Sequence, residues 1–281
     1  MQGKRGISAS YAVLRRHEVR PLAGSPGPTR ERTMMRCGVT LFGAALLCIF
    51  LAAPVYRSYA ETDCPLPDTL ALRDITLPAA KEEVARDRRL TILTFGGVHS
   101  TEADPEALGM TYPGRLETAL TAALPGIEVR VMNEPPPGNT AADVPAALPR
   151  LIANTGARLV IWGPGGRDVA APLGLETFGN AVSGGIQAVR RGGADLILLD
   201  TTFVPSPTRM AAIEAYREKL LSVAAADHVP LFRRHAMMRQ WSEDGTLNLA
   251  ASDPAERDQV ARRLFFCVAQ GLAPPIARAV R

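Results

Sequence analysis

The sequence predicts an α/β fold, a three-layer α/β/α sandwich with a parallel sheet of about five strands in a flavodoxin-like arrangement. Three observations predict it. From Leu90 onward, short apolar runs alternate one for one with segments of helical periodicity. The runs are continuously apolar, as strands covered by helices on both faces require. The connections between them are short, and strict β–α alternation leads to a parallel sheet.

Each element has its own justification. "LTILTFG" (90–96) reads as the first strand, and "YPGRLETALTAALPG" (112–126) as a helix stopped by Pro125-Gly126. "IEVRVMN" (127–133) is a second strand. "TAADVPAALPRLIANTG" (140–156) is a second helix, bent at Pro145 or Pro149 and closed by Gly156. "ARLVIWG" (157–163) and "ADLILLD" (194–200) are the third and fourth strands, separated by the glycine-interrupted helix "GLETFGNAVSGGIQAVRRGG" (174–193). "TRMAAIEAYREKLLSVAAADH" (208–228) is the best amphipathic helix, and "VPLF" (229–232) a short fifth strand. Helices in "RRHAMMRQWSEDG" (233–245) and "ERDQVARRLFFCVAQGLA" (256–273) end the chain. Residues 61–89, with two Leu-Pro pairs and the charged "KEEVARDRR", read as an arm leading into a domain that occupies 90–281. There is no internal repeat and no second domain.

The N-terminal sixty residues have a different character. The whole chain of 281 residues is 47% hydrophobic and 21% charged, a composition that buries a core. Its formal charge of +4 is carried by residues 1–60, which hold nine Lys/Arg against Glu18 and Glu31; the remainder is net −3. A basic stripe for nucleic acid is therefore not expected. "MMRCGVTLFGAALLCIFLAAPVYRSYA" (34–60) has the tripartite form of a secretory signal. Arg36 precedes an apolar run, and Ser58 and Ala60 stand at −3 and −1 of a cleavage site before Glu61. The expectation is a periplasmic or secreted protein cleaved after Ala60, with 1–33 an upstream extension without a fold. The alternative is an uncleaved anchor, because the apolar run is long enough to span a bilayer and would be the chain's one membrane attachment. After cleavage, Cys64 and Cys267 remain. An oxidising compartment and an even count point to a Cys64–Cys267 disulfide, with two separate buried thiols as the alternative.

In parallel sheets ligands bind beyond the carboxyl ends of the strands. That rule selects the loops "GGVHST" (96–101), "NEPPPGNT" (133–140), "GPGGRD" (163–168) and "DTTFVPSPT" (200–208). In this order, together with "YPGRLETAL", "LVIW", "LFRRHAMMRQW" and a cysteine in the last helix, they resemble the SGNH (GDSL-type) hydrolases, especially exported bacterial esterase-like members. The resemblance spans the mature chain and implies the three-layer fold just described. It also implies a catalytic serine in the first block, an oxyanion glycine in the second, an oxyanion asparagine in the third, and an Asp-x-x-His pair before the last helix.

Laid on that pattern, the serine position falls on Val98, which has no lone pair to attack with. Gly138 matches the glycine, behind Pro135, Pro136 and Pro137. Arg167 replaces the asparagine and Asp168 is kept, while Glu256 and Gln259 stand where acid and base belong. A glutamine cannot take and return a proton near neutral pH. A shifted register offers Asp253 and Asp258 but no histidine, since none follows His235. The expected protein is thus catalytically impaired, a pseudoenzyme binding a glycan or acylated envelope ligand through Arg167, Asp168, Gly138 and His99. One alternative is an active esterase or acylhydrolase using Ser100, served by His99 or His235, or another non-standard residue. A third reading is a structural envelope protein with no pocket ligand.

The remaining signals are bland. His228 resembles a helix C-terminal cap, and His235 a partly packed histidine beside inward Met237, Met238 and Trp241. No His/Cys/Asp/Glu spacing suggests a metal, and "GPGGRD" lacks the endings of nucleotide loops, so no metal and no cofactor are expected. That loop reads as a flexible segment at a pocket mouth, with Arg167 paired to Asp168 or another acid, or free to take a carboxylate, phosphate or sugar hydroxyl.

Overall fold

The computed structural model describes residues 64–96, 110–135, 137–171 and 173–281. Residues 1–33 and 34–60, expected to be an upstream extension and a signal, lie outside the described residues. Five parallel strands form one sheet: β1 (Arg89–Gly96), β2 (Glu128–Asn133), β3 (Leu159–Gly163), β4 (Asp195–Leu199) and β5 (Leu231–Phe232), in the order β2-β1-β3-β4-β5. Eight helices surround it among the described residues: α1 (Pro78–Asp87), α2 (Tyr112–Ala123), α3 (Val144–Thr155), α4 (Gly166–Ala170), α5 (Leu175–Arg191), α6 (Pro207–Ala226), α7 (Arg234–Glu243) and α8 (Pro254–Val280).

The strands supply two cores because successive side chains point to opposite faces. Leu90, Ile92, Leu159, Ile161, Ile197 and Leu199 meet α1, α2, α7 and α8. On the other face Leu93, Phe95, Val160, Trp162, Leu196 and Leu198 meet α3, α5 and α6. Strands buried on both sides have no solvated face to carry polar residues, which is why their sequences read as unbroken apolar runs.

Three elements depart from the sequence expectation. The arm contains the helix α1, whose inward side chains include Glu83. Glu83 is 1% exposed and accepts from Thr91 N at 2.9 Å, Thr91 Oγ1 at 2.7 Å and Arg89 Nε at 3.1 Å. Leu72 and Leu77 join the core, and Trp241 Nε1 donates to Pro65 O at 2.7 Å, so the arm is packed along its length. The loop after β3 tightens into α4, so Arg167 stands on a helical turn and not on a flexible segment.

The last helix does not stop at Ala273 but continues through Pro274 and Pro275 to Val280. Two missing N–H groups weaken it locally. Ile276, Ala277 and Val280 are buried beyond them, and burial of that apolar face holds the turn. In α3, Pro145 falls in the first turn and Pro149 lies inside the helix. Cys64 and Cys267 form a disulfide with Cα atoms 5.3 Å apart, joining the start of the arm to the middle of α8.

Candidate functional site

Beyond the carboxyl ends of β1, β3 and β4 lies a cleft of about 730 Å³. Volumes of this order hold small organic ligands. Its floor depends on close backbone approach. Gly96, at the end of β1, has φ +69°, and a Cβ there would stand 2.6 Å from Gly163 O. A side chain at this position would therefore strain the backbone and drive into β3.

The loop after β2 forms one wall. Asp143 accepts from Asn139 N at 2.8 Å and Thr140 N at 3.0 Å. The Thr140 and Asn139 amides hold its carboxyl below the usual range. Gly138 has φ +73°, and a Cβ would stand 2.3 Å from the Asp143 side chain, so only glycine fits this turn. The loop after β3 forms the facing wall. Asp168, 2% exposed, accepts from Ala141 N at 2.7 Å and from Gly165 N at 2.9 Å. It ties the two loops together, and each of its carboxylate oxygens is occupied. Among the described residues Arg167 pairs with neither Asp168 nor another acid; its Nη1 donates to Gly138 O at 2.8 Å.

Gly138, Arg167 and Asp168 all line this cleft, with Asp168 joining the walls and Arg167 at the exposed rim. Val98, His99 and Ser100 lie outside the described residues. Glu256 and Gln259 are not brought to this place. Both are exposed on the first turns of α8, and neither lines the cleft. Glu256 accepts from Asn248 Nδ2 at 2.7 Å, and Asp253 caps α8 by accepting from Glu256 N at 3.0 Å. These acids serve a helix start.

Three cleft residues escaped the sequence reading: Thr201, Arg209 and Arg234. Thr201 lies in the selected loop after β4, but a lone threonine carries no motif. Its Oγ1 stands 3.3 Å from His235 Nδ1, and His235 Nε2 stands 4.0 Å from Glu214 Oε2. Hydroxyl, imidazole and carboxylate follow the order of a hydrolytic triad, but the second separation exceeds hydrogen-bond length. The imidazole is 3% exposed and sits behind the cleft wall. Burial, reinforced by Arg217, lowers its pKa from 6.5 to about 4, so it is neutral at pH 7. Among the described residues no histidine lines the cleft. His228, with φ 52°, follows α6 and donates its N–H to Ala225 O at 3.2 Å, a helix-end position.

Arg234 is 5% exposed and donates from Nε to Asp200 O at 3.0 Å. Asp200, fully buried beside it, accepts from Thr201 N at 2.8 Å and pairs with Arg217 Nε at 3.2 Å. Burial pushes the Asp200 carboxyl up, against the pull of Arg217. Among the described residues no group of three His, Cys, Asp or Glu side chains is placed to hold a metal. None of their helices is long and apolar enough to cross a membrane.

Comparison with known proteins agrees with this architecture. A catalytic mutant of Axe2, an acetylxylan esterase from Geobacillus stearothermophilus, is similar in structure with a TM-score of 0.50 at 16% identity, over 64% of this chain and 93% of that one. A second Axe2 mutant, an acetyl-xylooligosaccharide esterase, gives 0.50 at 17% identity, over 68% and 93%. TesA gives 0.46 at 23% identity, over 65% and 99%. No curated protein sequence matches significantly. The family model described as Non-GDSL lipase-like matches residues 63–281, nearly the whole span from the arm to the C-terminus. The chain belongs to that Non-GDSL lipase-like family and carries the SGNH-type hydrolase scaffold.

Proposed function

We propose that this is an exported SGNH-type protein that binds a glycan or acylated envelope ligand in its cleft without the family's serine-and-histidine turnover. The observation that carries the reading is the division between the loops. The end of β1 at Gly96 and the loops after β2 and β3 meet at one cleft, while Glu256 and Gln259, the positions counted onto acid and base, lie on the exposed start of α8. Val98 at the serine position supports the same reading from sequence. A serine hydrolase lacking nucleophile and base loses on the order of 10⁶-fold in turnover. Export rests on the basic, apolar and small-residue succession of residues 34–60.

The test is hydrolysis of short-chain nitrophenyl esters by the purified chain, alongside binding of acetylated xylo-oligosaccharides followed by thermal shift. Binding without turnover is the expected result. Turnover abolished by Ser100→Ala or by Thr201→Val overturns the proposal and establishes a displaced catalytic hydroxyl.

A further inference from the structure

The cleft has an unequal charge balance at its wall. Among the described residues three guanidinium groups line it, from Arg167, Arg209 and Arg234, and a single carboxylate, Asp168. That carboxylate is buried and both its oxygens are bound to backbone N–H groups, so it is not available to neutralise the arginines at the rim. Arg209 is exposed and has no hydrogen bond or ion pair among the described residues. Arg167 is exposed and its one hydrogen bond among the described residues, to the Gly138 carbonyl, involves no acid. A guanidinium has five N–H donors, so a single carbonyl contact leaves most of its fork for a ligand. Arg234 adds a buried positive charge on the same side, beyond the Asp200 carboxylate already claimed by Arg217. Between these cations the wall is apolar, with Val144, Trp162, Val169, Val204 and Ile213.

We propose that the cleft selects an anionic amphiphile, whose carboxylate or phosphate is received by Arg167 and Arg209 while its hydrocarbon lies on the apolar wall. This rests on the reading of the cleft as a ligand site and narrows it to a chemical class. A neutral ester or acetylated sugar would leave two guanidinium groups at the rim without a counter-charge. An anion gains charge-assisted hydrogen bonds from both, in a site where the wall excludes part of the water. A planar fork also favours oxygen pairs over single acceptors, which carboxylate and phosphate share.

Isothermal titration of the full chain with octanoate, octyl phosphate, octanol and octylammonium tests the proposal. The two anions are expected to bind at least about tenfold more tightly than the alcohol or the cation, and to weaken as salt rises. The octanoate and octyl phosphate arms separate a carboxylate preference from a phosphate preference. Arg167→Gln with Arg209→Gln is expected to remove that tenfold advantage and bring the two anions to the affinity of octanol for the same variant; Arg167→Lys retains part of it. Both side chains are exposed, so these variants fold. Equal binding of all four probes, or an advantage that survives the double substitution, overturns anion selection and leaves the cleft as a ligand site. Binding by none of the four overturns anion selection, and the reading of the cleft as a ligand site is then decided by xylo-oligosaccharide binding.

Discussion

His235 is held with its ring against the edge of Phe203, the centroids 5.5 Å apart, and with Nδ1 toward Thr201. Its folded pKa of about 4 lies below the ordinary 6.5, so the unfolded chain takes up a proton that the folded chain refuses. The stabilising contribution is present in full above pH 6.5 and is lost as pH falls toward and through 4. Guanidinium unfolding at pH 7.5 and at pH 5 should show the wild type losing stability between the two. His235→Asn should flatten that difference, and an undiminished slope in the variant would disprove the assignment. None of this was legible in "FRRHAMMRQW", where the histidine looks half-packed and its partners Thr201 and Glu214 are remote in sequence. Val98 and Arg167 were counted onto the family's serine and asparagine positions from loop order and spacing, which are local properties. Gln259 was counted onto the base position in the same way.

At the level of elements, the strands and most long helices follow from period and composition, but α6, read as the best amphipathic helix, fully buries only Leu220 and Ala224. The elements that sequence missed each break the pattern for a physical reason. α1 turns Glu83 inward, so its apolar face is interrupted by a charge that only β1 can satisfy. Glu83→Ala leaves the buried Thr91 N–H without its acceptor and should cost about 3 kcal/mol, read from urea unfolding. A loss below about 0.5 kcal/mol would show that this carboxylate does not hold α1 to the sheet. α4 has five residues, too few for a period to appear. The end of α8 was hidden by Pro274-Pro275, which locally reads as a stop although burial of Ile276 and Val280 overrides it.

The whole molecule was legible as a layered sheet because that signal is summed over many residues. The cleft was legible only in position, since Thr201, Arg209 and Arg234 converge on it from the end of β4, α6 and α7. The disulfide acts at this largest scale, closing Cys64 to Cys267 across a separation of 203 residues. In the loop-entropy account a closure of this length contributes up to about 5 kcal/mol, so Cys64→Ser with Cys267→Ser should lower Tm markedly. An unchanged Tm would show that the bond constrains nothing the packing does not already fix. The same bond makes the described chain a covalent ring with a short C-terminal tail. A protease that cuts once anywhere between Cys64 and Cys267 opens the ring without dividing the molecule. Its two pieces would separate on a gel under reducing conditions and migrate as one without reductant. A single cut therefore need not release either half of the cleft.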